Sequence, residues 1–279
     1  MGGGTLYVVA TPLGNLGDLS ARATELLRSV AVVAAEDTRR TRALLAHLDA
    51  HPRLLSYHAN SGAGAARALL GLLAEGQDIA LVTDAGTPAV SDPGAALVAA
   101  VRNAGFQVVP LAGPCAVSTA LSAAGLPADR YLFLGFLPRK GRERERLLAR
   151  LAREEWTSVL FEAPGRIGEL LAELSQVCGG ERRAVVAREL TKLHEEFQAG
   201  TLAELSEVFA SDGARGECTV VLAGAAPMPE RGEPERARAA MVRLLAAGLP
   251  ARETARLVVE MFGIARNEAY RMVVELGKQ

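Results

Sequence analysis

Cysteine is scarce in this 279-residue chain, which has only Cys115, Cys178 and Cys218. They lie far apart, form no Cys-x-x-Cys pair and have no matching histidine spacing. Neither a disulfide framework nor a zinc site is expected, and a reducing cytoplasm is the expected setting. An excess of one charge is also missing. Lys and Arg number 31 against 32 Asp and Glu, so affinity for a polyanion must come from local clusters rather than a net field. No run of eighteen uncharged apolar residues occurs, and MGGGTLYVVATP has no basic flank leading into a long apolar stretch; neither a membrane span nor a signal peptide is expected. There is no G-x-x-x-x-G-K-[ST] loop, and Gly62-Ala63-Gly64-Ala65-Ala66-Arg67 lacks the third glycine of a dinucleotide fingerprint, which disfavours P-loop and nicotinamide chemistry. No repeat of solenoid period is found.

What is present is an ordinary globular composition, 49% apolar and 23% charged, with length enough for two modest domains. Short β-branched runs at 5–10, 30–35, 53–58, 78–83 and 106–111 read as strands with amphipathic helices between them. Asp18 or Ser20 can cap the first helix and Asp37 or Thr38 the second, while Gly76 and Gly105 stand where later helices stop. Such βα alternation predicts a mostly parallel sheet. After the Gly125-Leu126-Pro127 break, strands are expected at 131–138, 158–164, 184–189, 195–200 and 218–224. Only LTKLH separates the third and fourth of these, too little for a helical crossover, so the second sheet should contain an antiparallel pair. The proline-rich stretch 225–235 reads as a linker into a helical tail from about 236 to 277. The expected division is 1–113, 114–225 and 226–279.

One stretch stands out. LVTDAGTPAVSDPG (81–94) begins as a strand and then places bending, exposing or hydrogen-bonding residues at eight of eleven positions. Gly86 and Gly94 allow close backbone approach, Pro88 and Pro93 stiffen the loop, and Asp84, Ser91 and Asp92 offer acceptors or a helix cap. VVATPLGNLGDLS (8–20) and LAGPCAVS (111–118) make similar strand-to-helix junctions. In an open α/β sheet all three would gather at the carboxyl edge, where ligands bind. Each alone is also readable as a tight βα turn.

The blocks TPLGNLGDLS, AAEDTRRTRALL, LVTDAGTPAVSDPG, LAGPCAVSTAL, GFLPRKGRER, FEAPGRI, ARELTKLHEE and GECTVVLAG, in this order across nearly the whole chain, resemble the ribosomal RNA small subunit methyltransferase I group of the tetrapyrrole methylase superfamily. The resemblance implies two α/β domains of the tetrapyrrole methylase type with a small C-terminal helical tail, assembled as a homodimer. It implies binding of S-adenosylmethionine between the domains and methylation of the ribose 2′-hydroxyl of a cytidine in the decoding region of 16S rRNA, within the small ribosomal subunit. By that resemblance Asp84, Ala85, Gly86 and Val90 contact the cofactor, and Pro12, Cys115, Ala116, Phe161 and Leu190 complete its pocket. One departure is Gly165, where relatives carry His within an otherwise matching Glu-x-Pro-His-Arg block.

Methyl transfer from a sulfonium is an in-line displacement that needs neither metal nor covalent nucleophile. A group that takes or shares the hydroxyl proton would help by on the order of a hundredfold or more, and Asp37, Glu162 and Lys192 are the candidates. Asp37 is equally readable as a helix N-cap, Glu162 as a structural partner of Arg166, and Lys192 as a solvated side chain or a phosphate ligand. For RNA, the segment 139–153 carries seven basic residues against two Glu, among them Arg139, Lys140 and Arg142, although its ERER portion also suits helix-surface ion pairs. Arg39, Arg40 and Arg42 form a second cluster, and Arg166 stands near Glu162. The tail resembles a helix-turn-helix broken at Gly263, with Asn267, Tyr270, Arg271 and Val274 on one face and Arg266 nearby, while Leu257, Val258, Met261 and Ile264 read as core. The competing readings are a methyltransferase acting on a tetrapyrrole or other small molecule, and a non-enzymatic nucleic-acid-binding protein.

Overall fold

The computed structural model describes residues 3–211, 216–226 and 234–276. Most of the expected linker, residues 227–233, lies outside them. The chain divides into two compact units between Ala223 and Gly224.

In the first unit β1 (Thr5–Val9), β2 (Val32–Ala35), β3 (Arg53–Ser56), β4 (Ile79–Val82) and β5 (Gln107–Leu111) form one parallel sheet in the order β3-β2-β4-β1-β5. Every residue of β2 (VVAA) and β4 (IALV) is buried, as expected of central strands covered on both faces. α1 (Ala21–Ser29) and α2 (Thr38–His47) cover one face, packing Ala23, Leu27 and Leu45 on Val9, Val33 and Ala80. α3 (Ala63–Ala74) and α4 (Ala95–Asn103) cover the other, with Leu69, Leu73, Leu97 and Val101 against Leu6, Val32 and Ile79. Of the alternative caps, Ser20 Oγ accepts from Ala23 N at 3.2 Å and Asp37 Oδ1 from Arg39 N at 2.8 Å. Asp92 caps nothing: α4 begins after Gly94 without a side-chain cap. Just beyond α3 and α4, Gly76 and Gly105 adopt φ of 84° and 81°, the left-handed geometry that ends a helix without a Cβ penalty.

α5 (Ala116–Ala124) follows β5 but packs Val117, Ala120 and Leu121 against Val159, Val185 and Val221 of a second sheet. The change of sheet therefore precedes α5, and Gly125 ends that helix in the left-handed region. The second sheet contains β6 (Tyr131–Phe136), β7 (Thr157–Glu162), β8 (Arg183–Arg188), β9 (Glu196–Thr201) and β10 (Cys218–Leu222) in the order β6-β7-β10-β8-β9. β6 and β7 run parallel while β7-β10, β10-β8 and β8-β9 are antiparallel, so the sheet is mixed. α6 (Arg142–Leu151), α7 (Ile167–Cys178) and α8 (Leu202–Ser211) close its outer face, with Leu151, Leu170, Leu174 and Leu205 packed on Leu160, Val186 and Val220.

The second unit is helical: α9 (Pro234–Ala246), α10 (Ala251–Phe262) and α11 (Arg266–Leu276). Ala237, Met241, Ala255, Val258, Ile264, Ala269 and Val273 form its core. Gly263, at φ 62°, ends α10 in the left-handed region. Met261 is not core as expected but 62% exposed. The buried stripe of α10 runs through Ala255, Val258 and Phe262, and Met261 falls off it by one step of a 3.6-residue turn.

Candidate active site and RNA-facing surfaces

The three polar junctions meet at the carboxyl edge of the parallel sheet because β4, β1 and β5 are neighbours. Thr11 N donates to Gly86 O and Gly86 N to Thr11 O, both at 2.9 Å, tying the first loop to the second. Thr87 Oγ1 donates to Pro114 O at 2.9 Å, tying the second to the third. Gly86 has φ 81°, and a Cβ there would come within 3.3 Å of Leu13; both the turn and the close approach require glycine. Pro12 and Asp84 line one cavity. Val90, Cys115, Ala116, Phe161 and Leu190 fall in one apolar cluster contributed by both halves of the unit. Phe161 sits edge-on to Phe133 and Phe136, with ring centroids 5.0 and 5.6 Å apart.

The second half reaches the first through the loop after β8. Asn15 N donates to Thr191 Oγ1 at 3.1 Å, and a Cβ on Gly14 would overlap Lys192 Cγ, so the lysine stem lies directly on the first loop. Glu189 and Thr191 have φ of 52° and 64°, a left-handed geometry that non-glycine residues hold only when their surroundings impose it. Lys192 Nζ lies 2.8 Å from Glu189 Oε1 and 3.7 Å from Glu217 Oε2. Partial burial pulls the ammonium down, but these carboxylates outweigh it and the pKa is raised. Lys192 is therefore a fixed positive charge rather than a proton acceptor.

Each of the other two candidate catalytic carboxylates has a structural partner. Asp37 caps α2 and receives Arg39 Nε at 3.1 Å and Nη2 at 2.7 Å. The Arg39 hydrogen bonds hold its carboxyl well below the usual carboxylate range. Glu162, 3% exposed, accepts from Ala163 N at 2.9 Å and faces Arg166 Nη1 at 3.8 Å. Asp84 accepts from Asp37 N at 3.1 Å, its own N–H points to Glu36 Oε2 at 3.4 Å, and Arg40 Nη1 lies 3.3 Å from its carboxylate.

Asp92 is the group that sequence reasoning took only for an acceptor or cap. It is half-buried and follows Ala89 and Ser91, whose φ of 69° and 64° are again left-handed. Burial, reinforced by Glu36, Asp84 and Glu217, pushes its carboxyl up to about 7. A carboxyl titrating there can accept a proton at neutral pH. The tertiary contacts that create this property come from three separate segments, so no local signal in the sequence announces it.

Cys178 and Cys218 are not nucleophiles: burial raises the first thiol and pushes the second up to about 11. Among the described residues no group of His, Cys, Asp and Glu could hold a metal ion, and no helix is long and apolar enough to cross a membrane. Gly165 lies on a single turn, Pro164–Arg166, where a Cβ would meet nothing within 4 Å, so the main chain does not demand glycine there for want of space.

Of the basic residues, Arg39 is 85% exposed at its side chain, and Arg139, Lys140 and Arg142 are exposed at the start of α6. Arg144 differs from its neighbours. It is 5% exposed, pairs with Glu173 and donates to Pro138 O at 2.8 Å, so it fastens the preceding loop instead of facing solvent. Arg266, Asn267, Tyr270, Arg271 and Val274 are all exposed on or beside one face of α11.

Comparison with known proteins gives the same outline. The family model described as "Tetrapyrrole (Corrin/Porphyrin) Methylases" matches residues 5–206, and that described as "RsmI C-terminal HTH domain" matches residues 233–277. Proteins named ribosomal RNA small subunit methyltransferase I from Synechocystis sp. and Pseudomonas aeruginosa are each 45% identical, over 98% and 99% of this chain and 98% of their own length. The Escherichia coli O157:H7 protein of that name is 42% identical over 98% of this chain and 95% of its own. The chain belongs to the ribosomal RNA small subunit methyltransferase I family. Its tetrapyrrole methylase fold is shared with a cobalt precorrin-4 methyltransferase (TM-score 0.61, 21% identity, 78% of this chain and 94% of the other). It is shared also with a Thermus thermophilus uroporphyrin-III C-methyltransferase crystallised with S-adenosylhomocysteine (TM-score 0.58, 20% identity, 79% and 97%). The two matched regions of this family member fall one in each compact unit.

Proposed function

We propose that this protein transfers a methyl group from S-adenosylmethionine to the ribose 2′-hydroxyl of a cytidine in the decoding region of 16S rRNA, acting in the cytoplasm as a homodimer on the small ribosomal subunit. The observation that carries the reading is the convergence of the three β-strand loops with the Lys192 loop, in a chain 45% identical over nearly its full length to proteins named as small subunit rRNA methyltransferases. S-adenosylmethionine supplies, when bound, a methyl carbon on a cationic sulfur. The residues fit it: bent main chain at Gly86, an apolar wall at Val90, Cys115, Ala116, Phe161 and Leu190, and carboxylates at Asp84 and Glu36 that complement a cation. Pro12 and Ala85 complete the same loops.

In the reaction these side chains hold and shield while few take part. Phe161 and Leu190 exclude water, which strengthens every charge interaction in the cleft. Asp92 takes the proton of the attacking hydroxyl, and Lys192 stabilises the negative charge that develops on that oxygen or holds the neighbouring phosphate. Asp37 orients Arg39, and Glu162 orients Arg166, for phosphate contact. Arg139, Lys140 and Arg142, together with Arg266, Tyr270 and Arg271, supply further RNA contacts.

The test is transfer of labelled methyl to purified small subunits lacking the modification, followed by digestion and nucleoside mass spectrometry. The expected product is 2′-O-methylcytidine. Tight binding of S-adenosylhomocysteine without incorporation into rRNA would instead favour a small-molecule acceptor, as in the precorrin and porphyrin enzymes that share the fold.

A further inference from the structure

α6 turns a basic face to solvent. Its buried residues are Arg144, Leu148 and Leu151, whereas Arg142, Arg146 and Arg150 stand exposed at successive turns and Arg153 is exposed just past its end. A spacing of four residues keeps such side chains on one face, and the row runs about 16 Å. Among the described residues only Arg150 of the four has a carboxylate partner, Glu154 at 3.5 Å. The helix-surface ion pairs that the ERER portion suits therefore do not engage the others.

A second, independent observation stands at the end of this row. Trp156, immediately before β7, is 46% exposed, and the Arg130 guanidinium lies over its ring, 5.9 Å from the centroid, a cation–π contact. A hollow of about 610 Å³ is lined by Arg146, Arg150, Arg153 and Trp156, with Glu154 and Glu155 beside them. The turn that carries the indole is clamped. Arg182 donates to Leu151 O at 2.9 Å, to Ala152 O at 3.3 Å and to Glu154 O at 2.8 Å, and Glu154 Oε1 accepts from Trp156 N at 3.3 Å. The main chain around the ring is thus fixed before any ligand arrives, which lowers the ordering cost of binding.

An exposed aromatic ring among guanidiniums is the combination that takes unpaired nucleotides, the ring stacking a base while the cations meet phosphates. We propose that this hollow is an auxiliary RNA-binding site, in which an unpaired base of the rRNA stacks on Trp156 while Arg146 and Arg153 hold the flanking phosphates. The inference rests on the RNA-methylation reading above and adds to it a grip remote from the reaction. Trp156 precedes β7 and Phe161 lies near the other end of that strand, about 16 Å along it. RNA fits better than a protein or lipid surface because the arginine row is continuous with Arg139, Lys140 and Arg142, already given to rRNA. In the hollow itself arginines outnumber carboxylates, and Glu154 is already engaged.

Trp156 is the only tryptophan in the chain, so its fluorescence reports the site directly. Titrating the full chain with protein-free 16S rRNA, and separately with an unstructured oligouridine, should quench the emission saturably, and less so as salt rises. In the Arg146→Gln, Arg153→Gln double variant the slope of log affinity against log salt should fall by up to about 1.4. Trp156→Ala should raise KM for the small subunit about fivefold or more, the loss of one stacked base, with kcat and S-adenosylhomocysteine affinity within twofold of wild type. Trp156→Phe should restore most of that loss. If thermal melting shows Trp156→Ala to be poorly folded, the double variant, altered only at exposed positions, carries the test. Emission that stays constant while the enzyme binds and methylates the subunit normally would overturn this site and leave the RNA reading standing. A wild-type enzyme that neither binds nor methylates the subunit would remove both. Emission that changes with protein concentration alone would assign the hollow to a second copy of the chain, and emission that answers to ribosomal proteins but not to RNA would assign it to a protein partner; either result overturns the proposal.

Discussion

The parallel sheet and the mixed sheet contribute different things to the same cleft. The first brings hydrogen-bonding loops and carboxylates, namely Glu36, Asp84 and Asp92, at the carboxyl ends of β2 and β4. The second brings the apolar wall of Phe161 and Leu190 and the cation Lys192. Burial and the charges of Glu36, Asp84 and Glu217 raise the proton affinity of Asp92, while Glu189 and Glu217 hold Lys192 charged. The site is thus assembled across the two halves, with Glu217 of the second acting on Asp92 of the first, and function requires the halves to stay in register.

The largest expected effect comes from removing the first half's central carboxylate. Asp84→Ala should weaken S-adenosylhomocysteine binding tenfold or more, since a hydrogen bond to a charged group contributes about 1.5–3 kcal/mol. RNA binding should change far less. Unchanged cofactor affinity in a folded variant would take Asp84 out of the donor pocket.

Next is the contact between the halves. Gly14→Ala places a methyl group on Lys192 Cγ and should displace the ammonium, lowering kcat severalfold to tenfold with little change in melting temperature. If Lys192→Met lowers kcat while Gly14→Ala leaves it at wild type, the seating of the stem on Gly14 is irrelevant to catalysis.

A smaller effect probes the second half alone. The Arg139→Ala, Lys140→Ala double variant should bind RNA more weakly and reduce the slope of log affinity against log salt by up to about 1.4, or about 0.7 for each phosphate on single-stranded RNA that is no longer neutralised. An unchanged slope would show that these side chains are merely solvated.

The last is a stability effect with a defined sign. Asp92 titrates at about 7 in the folded protein and near its usual value of about 4 when unfolded. The folded state therefore holds its proton more tightly, so Asp92 makes the protein lose stability as pH rises from about 4 to about 7, and the loss is complete above that. Asp92→Asn should raise the melting temperature at pH 8 and leave it unchanged below pH 4, while methyl transfer falls and loses its dependence on pH near 7. A variant that melts like the wild type at pH 8 would show that Asp92 is not perturbed.

All ten strands were legible in the sequence because most are short β-branched or aromatic runs punctuated by glycine, proline or a cap. The antiparallel β8-β9 pair followed from the shortness of the loop between them. The Ser20 and Asp37 caps were among the alternatives read for their helices, since a side chain that accepts a bond from two or three residues onward is a local event. Met261 departs from expectation because its apolar character says nothing of its phase on the helix.

Pairing across distance was the part not visible. Arg144 reads like its neighbours in RKGRERER until Glu173 and the carbonyl of Pro138 claim it. Asp92 reads like a turn residue until burial and the charges of Glu36, Asp84 and Glu217 act on it, and Thr83 like the end of a strand until its hydroxyl is buried without a partner among the described residues. The sequence by itself determined the elements, their order and the resemblance to the family, because propensity, periodicity and motif are properties of neighbouring residues. Only the tertiary structure decided which charges are paired, which carboxyl is shifted toward neutral pH and where a cavity opens, because burial and Coulomb interaction depend on distances in space between segments far apart in the chain.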